Sequence, residues 1–121
     1  MNIETALKEA MTLDGAIGAA IVDYESGMSL GTLGGAQGLD LELAAAGNTE
    51  VVRAKMRTLA SLDMDDVIED ILITLGKQYH LIRPLSSSKG ALFFYVALDR
   101  TRSNLALARH GLRRIENGLE I

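Results

Sequence analysis

Ala91-Leu92-Phe93-Phe94-Tyr95-Val96-Ala97-Leu98 is apolar at every position. Successive side chains of an extended strand point to opposite faces, so such a run has to be covered on both sides. Ala16-Ile17-Gly18-Ala19-Ala20-Ile21-Val22-Asp23 has the same character. A chain with two such strands cannot close as a sheet with one wet face; it needs a layer above and a layer below. Three amphipathic segments are available. At 100° per residue, Ile3, Ala6, Leu7, Ala10, Met11 and Leu13 share one face of a helix over residues 3–13, with Asn2 as N-cap and Asp14-Gly15 as its stop. A long helix is expected over residues 40–62, and a last one over residues 101–117, ended by Gly118. In the last helix Leu105, Ala108, Leu112, Ile115 and Leu119 form the buried stripe.

The remaining strands read as Met28-Ser29-Leu30-Gly31-Thr32-Leu33, residues 67–75, and residues 78–85. Glu25-Ser26-Gly27 makes the first hairpin turn. Gly76-Lys77 fits a primed two-residue turn in which Gly supplies the positive φ. Residues 86–90 make another turn, and residues 34–38 a flexible loop. Pro84, the one proline, falls near a strand end, where its missing N–H is tolerated. The order is α-β-β-α-β-β-β-α. The expected architecture is α/β in the α+β sense: a three-layer α/β/α sandwich around a five-stranded antiparallel sheet. One long helix covers one face and the two terminal helices the other. At 121 residues, without repeats or linkers, residues 1–121 read as a single domain.

Composition removes several functions. With 12 basic against 16 acidic side chains the net charge is −4, which argues against a general nucleic-acid binder. There is no Cys for thiolate catalysis or a Cys-ligated metal, and the two His, His80 and His110, are 30 residues apart, which leaves no metal pair and no cofactor expected. His80 is expected to alternate outward on its strand. Gly76-Lys77 lacks the first Gly and the Ser/Thr of a phosphate-binding loop. The acids Asp63, Asp65, Asp66, Glu69 and Asp70 fit neither register of a calcium loop and read as a solvated segment. No secretory signal and no span for membrane insertion is visible, so a cytoplasmic protein is expected.

The long helix carries two apolar stripes where a helix on a sheet needs one. Leu41, Ala45, Val52, Met56 and Leu59 suit the sheet. Leu43, Ala44, Gly47, Val51, Ala54 and Thr58 form the second stripe, rich in small residues that permit close backbone approach. Gly inside a helix costs ~1 kcal/mol relative to Ala, so Gly47 implies a packing reason. Two readings stand: the stripe packs on the chain's own loops, or it is the seam of a two-fold homodimer. Beside it, Glu50, Arg53 and Arg57 form a polar ridge, a candidate partner surface. A second candidate lies on the last helix, where Arg102, Arg109 and Arg113 share the outer edge. Five of the 12 basic residues fall in the last 22 positions, which suits either a solvated helix end or docking to an acidic partner.

The ordered set of motifs resembles the Roadblock/dynein light chain family over about residues 3–117. The pieces are residues 15–23, Gly27, Ala44-Ala45-Ala46, residues 71–82, and Leu98-Asp99 followed by residues 103–109. The resemblance implies a non-enzymatic homodimer whose long helix and third strand meet their copies. It also implies a partner: a Ras-like small GTPase whose nucleotide state the dimer regulates, as some members of the family do by activating GTP hydrolysis. The alternative within the family is a structural adaptor without effect on hydrolysis. The family has no catalytic motif to carry over.

Overall fold

The computed structural model describes residues 1–86 and 91–120. In chain order its elements are α1 (Ile3–Ala10), β1 (Ala16–Asp23), β2 (Met28–Gly34), a single 3₁₀ turn (Ala36–Gly38), α2 (Leu41–Ser61), β3 (Ile71–Thr74), β4 (Gln78–Pro84), β5 (Leu92–Asp99) and α3 (Leu105–Gly118). Each helix opens on a short polar side chain that satisfies an otherwise orphaned N–H. Asn2, Asp40 and Asn104 accept from Thr5, Leu43 and Leu107 respectively.

The sheet is antiparallel throughout, in the order β2-β1-β5-β4-β3. The two all-apolar strands, β1 and β5, pair with each other inside the sheet, where coverage on both faces is available. One face holds Ala19, Ile21, Leu81, Phe94, Val96 and Leu98 against Ala6, Leu7 and Ala10 of α1 and Ala108, Leu112 and Ile115 of α3. The other holds Ile17, Ala20, Val22, Ile82, Phe93 and Tyr95 against Leu41, Ala45 and Val52 of α2. This is the expected three-layer sandwich with the helices on the expected faces. Gly34 closes β2 at φ +84°, and a Cβ there would lie 2.7 Å from the Ile17 carbonyl oxygen.

The boundaries differ from expectation in several places. α1 ends at Ala10, and residues 11–13 continue as a turn, although Met11 and Leu13 still pack on the core. β3 pairs only over Ile71–Thr74, because Asp70 is drawn off to Arg109 and Val67 points into solvent. α3 starts at Leu105 rather than residue 101: Thr101 donates through both N and Oγ1 to Asp99, making a turn before the Asn104 cap. Gly76 does not adopt a positive φ. The Gly76-Lys77 turn is instead braced from outside, by Arg100 Nη1 donating to Leu75 O at 2.7 Å and Arg100 N donating to Lys77 O at 3.0 Å. On α2 the polar Thr49 is buried, its hydroxyl turned back onto Ala45 O. In the expected turn over residues 86–90, positions 87–90 lie outside the described residues.

Candidate functional site

α2 is 21 residues long and buries one stripe on the sheet. Leu41, Ala45, Thr49 and Val52 are buried, and Met56 packs beside them, as do Ala44 and Val51 at the border of the second stripe. The rest of the second stripe is left open. Leu43 is 71% exposed, Gly47, Ala54 and Thr58 are exposed, and Ala44 and Val51 are half-buried. A Cβ built on Gly47 meets nothing within 4 Å, so within the chain nothing explains this glycine. The C-terminal half of the stripe runs into a groove of about 1010 Å³, formed where Val51, Ala54 and Thr58 face residues 66–71. Next to it lies the outer edge of β3, the end strand of the sheet. Its Ile71-Leu72-Ile73-Thr74 carries none of the charges, bulges or prolines that shield such edges.

The polar ridge beside the stripe divides. Arg53 is spent inside the chain: its Nε donates to Tyr24 O at 2.6 Å, its Nη2 to Glu25 O, and its Nη1 pairs with Glu50 at 3.2 Å. It therefore ties α2 to the end of β1. Arg57 is exposed and free of ion pairs among the described residues. Arg102, in the turn before α3, and Arg113 on α3 are exposed, while Arg109 forms a two-pronged pair with Asp70 at 3.0 and 3.2 Å. A second guanidinium, Arg83, pairs with the buried Glu116 at 2.7 Å and reaches Glu69 O at 3.3 Å. Arg83 and Arg109 together pin the approach to β3, so the free edge is held in place from the α3 side.

Beneath α2 runs a polar chain that the sequence reading missed. Tyr95 Oη lies 3.1 Å from His80 Nδ1, and His80 Nε2 lies 2.8 Å from Gln78 Oε1. The amide oxygen of Gln78 can only accept, so Nε2 carries the imidazole N–H and Nδ1 accepts from the Tyr95 hydroxyl. The two rings meet edge-on, centroids 5.4 Å apart. Burial lowers the pKa of His80, and it pushes that of Tyr95 up to about 12. His80 thus faces inward, against expectation. Its two-residue spacing from Ile82 places both on one face of β4, and that parity was the available signal.

Among the described residues no group of three His, Cys, Asp or Glu side chains could hold a metal ion. Among them, too, no helix is long and apolar enough to cross a membrane. No family model matches the sequence, and no curated protein matches it. Solved structures do. MglB of Myxococcus xanthus superimposes with a TM-score of 0.74 at 17% identity, over 93% of this chain and 84% of that one. MglC of the same organism gives 0.62 at 19% identity, over 98% and 96%. A Roadblock/LC7 domain from Streptomyces avermitilis gives 0.81 at 8% identity, over 98% of this chain and 94% of that one. This chain has the Roadblock/LC7 fold. As built here, that Roadblock/LC7 fold leaves one helix stripe and one strand edge side by side and uncovered.

Proposed function

We propose that the chain forms a two-fold homodimer through α2 and β3, and that the dimer binds and regulates a Ras-like small GTPase. The observation that carries the reading is the open stripe Leu43, Ala44, Gly47, Val51, Ala54 and Thr58 beside the bare β3 edge. Pairing β3 with its copy continues the sheet across two chains and satisfies the edge N–H and C=O groups. In an antiparallel crossing of two α2 helices, the Leu43 end of one lies against the Thr58 end of the other. The exposed Leu43 then enters the groove beside Ala54 and Thr58, twice per dimer. The GTPase as partner rests on the Roadblock resemblance and on the likeness to MglB and MglC.

Within this reading Arg57, with the exposed Arg102 and Arg113, contacts the partner, while Arg53 and Arg109 shape the surface from inside the chain. Light scattering across a dilution series tests the first step; a monomer at tens of micromolar refutes it. GTP hydrolysis by small GTPases recovered from the native cell, with and without the dimer, tests the second. Stable binding without a change in hydrolysis supports the adaptor alternative instead.

A further inference from the structure

The chain leaving α2 is unlike any other exposed part of the molecule. Asp63 sits at φ +54° and turns the backbone out of the helix. Leu62, Met64 and Val67 then stand 61%, 48% and 78% exposed within six positions. The segment is fixed at its start by Asp63 N and Met64 N bonding back to Ala60 O and Leu59 O, and at its end by Arg83 and Arg109. Between those anchors it bridges a hollow of about 410 Å³, walled by Met56, Leu59, Ala60 and Met64 and closed by Pro84 and Leu85. None of the six residues of the α2 stripe lines this hollow. Its one lining acid is Asp66, with Asp65 next to it in the chain; both are exposed and have no ion pair among the described residues.

The opposite chemistry occurs on α3. Leu107 is 60% exposed on that helix. His110 and Arg114, three and seven positions on, share its face, and Arg113 flanks it; all three are exposed. They too have no ion pair among the described residues. The molecule thus carries an apolar hollow with an acidic rim and, on a different element, an apolar knob with a basic rim. An exposed apolar group ringed by uncompensated charge marks an interaction site, and the ring sets the sign of the partner.

We propose that the outer face of α3 docks on the segment after α2 of a second copy, with Leu107 entering the hollow and Arg114 meeting Asp65 and Asp66. This contact is head-to-tail, between two different surfaces; the hollow adjoins the groove beside the α2 stripe, sharing Leu59, Asp66, Val67 and Ile68 with it, but holds none of the stripe residues. The contact joins dimers into larger assemblies. Because its rim is charge against charge at the surface, it weakens with salt, whereas the apolar seam does not.

The test is light scattering of the full chain over a concentration series at low and high salt. Mass above the dimer at low salt is expected to grow with concentration, and the association constant to fall at least about tenfold on going to ~0.5 M salt. Asp65→Lys, at a position that lines neither cavity, abolishes the growth, as does Arg114→Glu, each leaving the dimer mass unchanged. Mixing the two charge-reversed proteins restores association of one with the other, because each retains one intact face complementary to the other's. Ala60→Trp fills the hollow without altering charge and abolishes growth by itself. A wild type that shows no mass above the dimer at low salt overturns the proposal. So does failure of the mixed variants to associate. A wild type that is monomeric at high salt refutes the α2 seam separately and leaves this contact to be read from the low-salt series.

Discussion

Gly47→Leu pulls two quantities in opposite directions: the structure gives the sign for the isolated chain, and the proposed seam gives that for the dimer. Within one chain a Cβ at this position meets nothing within 4 Å among the described residues. The substitution therefore acts there chiefly through helix propensity. Gly in a helix interior is ~0.8–1 kcal/mol worse than Ala and Leu is close to Ala, so an isolated chain gains somewhat under ~1 kcal/mol. At a close helix crossing the same leucine is an overpacked core residue, at ~1–3 kcal/mol per site. Two-fold symmetry applies it twice, so the dimer loses ~2–6 kcal/mol and its dissociation constant rises ~30-fold or more. The assay has two arms. Light scattering on dilution reads the dimer, and urea denaturation below the dissociation constant reads the isolated chain. A lowered midpoint in the second arm, or a dissociation constant within about twofold of wild type in the first, refutes the seam at Gly47.

Other expectations follow from the interior. Burial disfavours the charged form of His80, so its folded pKa lies below 6.5 and the unfolded chain takes up the proton first. Stability is therefore full above pH ~6.5 and falls as pH drops from there toward the lowered folded value; denaturation midpoints over that window check this, and His80→Gln flattens the dependence. Glu116→Ala strands the Arg83 guanidinium, itself only 11% exposed, and should cost ~3 kcal/mol or more in urea denaturation. Gly34→Ala forces a Cβ against Ile17 O at an unfavourable φ and should cost more than ~1 kcal/mol, read as a lowered melting temperature. Arg57→Glu leaves dimer and fold intact but slows association with a partner GTPase at low salt, measured by binding kinetics.

The layers were legible because Ala16–Val22 and Ala91–Leu98 admit no one-sided environment, and because two stripes on α2 exceed what one sheet face can cover. What escaped depended on long-range partners. Val67–Asp70 reads as strand by composition, but Arg109, 39 residues away, withdraws Asp70 from the edge. The Gly76-Lys77 turn takes its shape from Arg100, not from glycine's left-handed freedom. Arg53 looked like surface because a helical wheel does not show the carbonyls of Tyr24 and Glu25 coming within reach. His80 was misplaced for want of Tyr95, which only the β4–β5 register sets beside it.

The strand order has a kinetic consequence. β1–β2 on one side and β3–β4–β5 on the other are joined by short turns, but the pairing of β1 with β5 brings Asp23 against Leu92 across the whole of α2. Closing a loop of about 70 residues rather than a hairpin of about five costs roughly 2 kcal/mol more in chain entropy. The hairpins therefore form early and the central joint forms last, so substitutions that weaken the β1–β5 pair slow folding if that joint is the barrier. Until then β1 and β5 each display one unpaired edge on a strand of high apolar content. Another chain's β5 is then as good a template for β1 as its own, and only effective concentration decides between them. Refolding yield should accordingly fall as protein concentration rises, with strand-exchanged species as the by-product.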